Sequence, residues 1–232
     1  MSKGNYRLRR LYGLVVSAVV VLVLVFTNES MWQPAVEQPQ QPATPTGKAA
    51  DLLATLPVKG RAPKTGYART QFGDGWATVN GCDTRNIILN RDLKDPIVGE
   101  NCKVLSGTLD DPYTGKKIVF TRGADTSDDV QIDHVVALSN AWQTGAQQLT
   151  TDRRVALAND PLELIAVDGS ANQNKSDGDA ATWLPPNKAF RCQYVARQIA
   201  VKAAYTLWVT QGEHDAMLRV LALCPGQELP SA

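Results

Sequence analysis

The stretch "QIDHVVALSNA", residues 131–141, decides how this chain is read. Asp133 and His134 stand side by side at the head of an apolar run, and His134 is one of only two histidines in 232 residues. "VQIDHVVAL" has the β-branched, apolar character of a strand leading into a helical stretch around "SNAWQTGAQQL". Taken alone, the dipeptide is an ordinary hydrogen-bonded pair. It becomes informative through the residues downstream of it. Neighbours on a regular strand project to opposite faces, so both side chains serve one centre only if the strand ends, twists or bulges there. An irregularity near His134 is therefore expected.

Working outward, "PLELIAVDG" (161–169) reads as the next strand, with Asn159 just before it. "SANQNKSDGDAATW" then opens a helix with Ser170 as its cap and carries Asn172 and Lys175. The order is strand, strand, helix, bearing an acid–imidazole pair and two amides. Upstream, "CKVLSGTLDDPYTGKKIVFTRG" reads as two strands joined by the turn "DDPYTG". "AADLLATLPV" (49–58) is a short helix stopped by Pro57. Apolar residues at helical spacing from Lys188 to Val209 predict a long amphipathic helix. The expected fold class is α+β.

The N-terminal segment differs in kind. Residues 1–10 form a basic flank containing Lys3, Arg7, Arg9 and Arg10. "LYGLVVSAVVVLVLVF" (11–26) has the charge order of a signal peptide or signal anchor, though it is shorter than the ~17–25 residues usual for a span. Residues 27–48 are a Pro- and Gln-rich linker with little to bury. The domain is expected to occupy residues 49–232. The basic flank places it outside the cytoplasm, either secreted or held at the membrane through residues 11–26. The net charge of +1 gives no global basic field, so a polyanionic partner would need a local patch.

The cysteines are Cys82, Cys102, Cys192 and Cys224, with no Cys-x-x-Cys pair to suggest structural zinc. An even count in an oxidising compartment favours disulfides. Three pairings are possible; Cys82–Cys102 and Cys192–Cys224 are favoured because each closes a local loop.

Gly81-Cys82-Asp83-Thr84-Arg85-Asn86, Leu89, Arg91-Asp92-Leu93, the run Asp133–Leu138 and "NDPLELIAVDGSANQNKSDGDAATWLPPN" (159–187) together resemble an HNH-type nuclease of the ββα-metal fold. Within that group the chain is most similar to a bacterial extracytoplasmic branch, over about residues 60–210. The resemblance implies a ββα-metal core with added strands and a long C-terminal helix. It implies His134 as general base, Asp133 and Asn172 as metal ligands, Asn159 as the brace that orients the imidazole, and Lys175 as a phosphate contact. Asn172 stands where the family often has His, which shifts the preference away from zinc.

The chemistry fits those residue types. A neutral imidazole, with an unperturbed pKa of ~6.5, is suited to activating water near neutral pH. Oxygen donors from Asp133 and Asn172 suit Mg²⁺, with Mn²⁺ or Ca²⁺ as substitutes. Arg85 could clamp a phosphate bidentately or pair with Asp83 or Asp92. Trp76 and Trp183 are the tryptophans to check for base stacking, although core packing is the commoner fate. The expected activity is metal-dependent cleavage of DNA, with RNA as a second candidate substrate, and with little sequence preference. The alternative is a catalytically silent module that binds nucleic acid or cell wall.

Overall fold

The computed structural model describes residues 46–230. Residues 1–45, and with them the flank, the apolar run and nearly all of the linker, lie outside the described residues. Among the described residues no helix is long and apolar enough to cross a membrane.

Helix α1 (Lys48–Leu53) buries Ala49 and Leu53 and ends ahead of Pro57, as its sequence demands. A 3₁₀ turn follows at Arg69–Phe72, then the two-residue ribbon β1 (Thr78–Val79) and β2 (Cys82–Asp83). Helix α2 (Thr84–Asp92) begins where Asp83 accepts a hydrogen bond from the Asn86 amide at 2.7 Å. Strands β3 (Lys94–Val98), β4 (Val104–Asp110) and β5 (Lys117–Thr121) form an antiparallel sheet in the order β3-β4-β5. The "DDPYTG" turn does join two of these strands, as read.

Strand β6 (Val130–His134) pairs antiparallel with β7 (Leu164–Asp168), in unbroken register from Val130↔Asp168 to His134↔Leu164. Helices α3 (Leu138–Gln143) and α4 (Thr151–Asn159) fill the connection between them. Helix α5 (Gly169–Lys175) follows β7 directly, giving the order strand, strand, helix. Its cap is Asp168, which accepts from the Ala171 amide at 2.7 Å; Ser170 lies inside the first turn. The expected irregularity is not a bulge. The strand stays regular and stops at His134.

Alternation along this ribbon splits the interior into two cores. Val130, Ile132, Leu164 and Ala166 join Ile88, Leu89, Val104 and Phe120 on one side. Ile165 and Val167 face the larger core, built from helices. That core includes α6 (Arg191–Ala204) and α7 (Gln211–Leu221). The long C-terminal helix is therefore shorter than its apolar period suggests. Thr206 takes a left-handed φ of 52°, the chain extends through Val209, and a Thr210–Glu213 capping box starts a second helix. Disulfides join Cys82 to Cys102 and Cys192 to Cys224. The fold class is α+β.

Candidate nuclease site

The register of β6 places Gln131 and Asp133 on the face covered by α5. An i, i+3 pair on a helix and an i, i+2 pair on a strand both share a face, and here the two pairs meet. Asn172 Nδ2 donates to Gln131 Oε1 at 2.9 Å, and Lys175 Nζ donates to Asp133 Oδ1 at 2.9 Å. Lys175 also reaches the His134 carbonyl at 2.8 Å. The Tyr113 hydroxyl donates to Asp133 Oδ2. Burial pushes the Asp133 carboxyl up, and the Lys175 ammonium opposes that shift.

Lys175 therefore needs correction. Its side chain has 0% exposure and its ammonium is committed to Asp133 and the His134 carbonyl. It lies inside the protein under β6, where it cannot meet a phosphate. A polar residue at the end of a helix reads as a surface residue in sequence, and only the docking of α5 on β6 buries it.

His134 sits on the other face of β6. Its Nε2 is 3.0 Å from the Ala158 carbonyl at the end of α4. A carbonyl only accepts, so Nε2 carries the proton and Nδ1 keeps its lone pair. The ring stacks on Trp76, centroids 5.6 Å apart and planes 6° from parallel. Burial, with Arg69 and Lys175 adding repulsion, pushes the imidazole down to about 3. The ring is neutral at neutral pH.

Asn159 closes α4. Its Oδ1 accepts from the Ala77 amide at 2.8 Å, and its Nδ2 donates to the Val155 carbonyl at 2.9 Å. It thus holds the loop carrying Trp76, while its neighbour Ala158 holds the histidine directly. Asp133, His134, Asn172 and Arg85 all line one polar cleft of about 730 Å³, together with Lys64, Arg69 and Asp177. One Arg85 nitrogen donates to the Ser127 and Val130 carbonyls at 3.1 and 3.0 Å. Arg85 is paired with neither Asp83 nor Asp92. Arg91 is the one that pairs with Asp92, at 2.6 Å, so its role is structural. Trp183 packs on Tyr113 and Tyr194 beside the larger core.

Residues 84–220 match the family described as GmrSD restriction endonucleases, C-terminal domain. The chain belongs to this family. The family is a nuclease one, and its match contains Arg85, Asp133, His134, Asn159, Asn172 and Lys175. A relative from Arthroderma benhamiae (strain ATCC MYA-4681 / CBS 112371), named only as an uncharacterized secreted protein, is 39% identical over 190 residues. That similarity spans 80% of this chain and 90% of the relative. No solved structure matches. The GmrSD family supports nuclease kinship at this broad level; the narrower bacterial branch stays a resemblance of sequence. Trp76 and Arg69 both precede the matched segment, although they line a cleft with His134.

Tyr113 and Arg69 are the site neighbours that sequence reasoning did not assign, while Trp76, marked there for base stacking, stacks on the His134 ring. The aromatic inside "DDPYTG" was the available signal for Tyr113. Asp111 pins that turn to the Asp168 amide at 2.9 Å, which delivers Tyr113 to Asp133.

Proposed function

We propose that the protein is an extracytoplasmic, metal-dependent endonuclease that hydrolyses phosphodiester bonds of DNA, and RNA where accessible, with low sequence specificity. The observation that carries this reading is the shared cleft: a neutral imidazole with its Nδ1 lone pair available borders the same space as the Asp133 carboxylate and the Asn172 amide. His134 takes a proton from the attacking water. Asn159 and Ala158 orient the ring, one through the Trp76 loop and one directly. Arg85 offers guanidinium nitrogens to the substrate backbone. The two disulfides and the secreted relative support an extracytoplasmic location, and residues 11–26 would serve as signal or anchor.

The donor set fits a hard divalent ion such as Mg²⁺. Asp133 keeps a second lone pair on each oxygen, and Asn172, pinned through Nδ2, has Oδ1 left to offer. Among the described residues no group of three His, Cys, Asp or Glu side chains could hold an ion, which is a poor match to a closed zinc site. When bound, the ion supplies charge neutralisation at the phosphoryl oxygens and the departing alkoxide.

The test is nicking of plasmid and of circular single-stranded DNA by purified protein with Mg²⁺, with EDTA, and with Mg²⁺ restored. Wild type nicks only with the metal, and folded His134→Ala does not nick. Full activity in His134→Ala rejects the assignment. DNA retention by wild type without nicking favours the catalytically silent binding module.

A further inference from the structure

His134 borders two spaces. Besides the polar cleft, a smaller one of about 300 Å³ is lined by Phe72, Gly73, Trp76, Leu138 and Ala158, together with the exposed Arg69, Thr70 and Asp74. Arg69, His134 and Leu138 line both. The two spaces differ in chemistry. The larger carries Lys64, Arg69 and Arg85 among polar groups. The smaller has an apolar wall of Phe72, Leu138 and the half-buried Trp76. A nucleotide has the same two halves, an anionic phosphate and a flat base with apolar faces.

Arg69 is the pivotal group. It is exposed, it starts the 3₁₀ turn that packs on α4, and among the described residues it enters no ion pair or side-chain hydrogen bond. It lines both clefts together with His134. With Lys175 buried under β6, Arg69 is the basic side chain that lines both clefts beside His134.

We propose that the small cleft is a nucleoside subsite, with Arg69 holding the phosphate between it and the polar cleft, so that the substrate enters as an unstacked, single-stranded nucleotide chain. This rests on the nuclease reading above. A base stacked in a duplex cannot enter a pocket beside the scissile phosphate, whereas a single strand can turn one out at little cost.

The probe is a fluorescein-labelled single-stranded oligothymidylate, titrated in EDTA so that binding is read without cleavage, with cleavage of circular single-stranded DNA in Mg²⁺ run alongside. Wild type is expected to bind the single strand at least about tenfold more tightly than a duplex of equal length. Arg69→Ala should weaken single-strand binding by about tenfold, the scale of one lost charge-assisted hydrogen bond, and Arg69→Lys should restore part of it. Thymidine 5′-monophosphate should displace the oligonucleotide from wild type at lower concentration than inorganic phosphate, an arm that needs no variant. If wild type cleaves the circular single strand but Arg69→Ala binds unchanged, or nucleotide and phosphate compete equally, the subsite is overturned and the nuclease reading stands. If wild type neither binds nor nicks, both fall.

Discussion

Replacing Lys175 by Met separates two roles that sequence alone runs together. The Lys175 side chain is fully buried, and Asp133, its ion-pair partner, is 5% exposed. Its ammonium makes two contacts, 2.9 Å to Asp133 Oδ1 and 2.8 Å to the His134 carbonyl. Removing the cation keeps the volume but strands a buried carboxylate with the Tyr113 hydroxyl and the His134 backbone amide as its remaining support. Breaking a buried pair from one side costs about 3–5 kcal/mol, because the remaining charge has lost its counter-charge and is poorly hydrated. For a domain of this size each kcal/mol lowers the melting temperature by roughly 2–4 °C, so the expected drop is on the order of 6–20 °C. Thermal and urea unfolding of wild type, Lys175→Met, Asp133→Asn and the double variant should show a coupling of at least about 1 kcal/mol, with the double variant more stable than Lys175→Met. If Lys175→Met melts with wild type and changes only KM for DNA, the buried ion pair is wrong and Lys175 returns to the substrate.

Two further predictions concern the brace and the staples. Asn159→Ala removes the acceptor for the Ala77 amide and loosens the loop that carries Trp76. kcat should fall roughly 10–100-fold with KM little changed, and Asn159→Asp, which keeps an acceptor, should recover most of it; equal losses in both variants would argue against the bracing role. Replacing Cys192 and Cys224 together by Ala frees a cross-link of sequence separation 32 between the start of α6 and the chain after α7. Urea unfolding should show a loss of about 3–4 kcal/mol with nicking activity retained below the transition.

The elements legible in sequence were those whose signal is local. Two strands around "DDPYTG", the strand pair that carries Asp133 and precedes α5, and the disulfide spacing all rest on neighbouring residues. The α5 cap moved from Ser170 to Asp168 because both residues are good caps and only β7's register selects one. The split of the C-terminal helix was hidden because apolar spacing continues through Leu207 and Val209. Those residues are buried in the helical core while the chain leaves helical geometry at Thr206. Lys175 and Tyr113 were illegible in role for one shared reason: the partner of each is Asp133, 42 and 20 positions away.

A regular strand serves a single cleft here through its end and its neighbours. Asp133 and His134 alternate across β6 and have separate supports, Tyr113 and Lys175 for the acid, Trp76 and the Ala158 carbonyl for the imidazole. Both still border the polar cleft because β6 stops at His134 and α5 leaves Asn172 beside Gln131 at its edge. Lys175 links the two sets, since one ammonium holds the Asp133 carboxylate and the His134 carbonyl together. The site geometry is thus set by the strand end and by contacts reaching in from separate segments. A substitution that preserves Asp133, His134 and Asn172 but shifts α4 or the Trp76 loop should therefore damage activity as much as loss of a direct contact does. Asn159 is the residue on which that expectation is most directly measured.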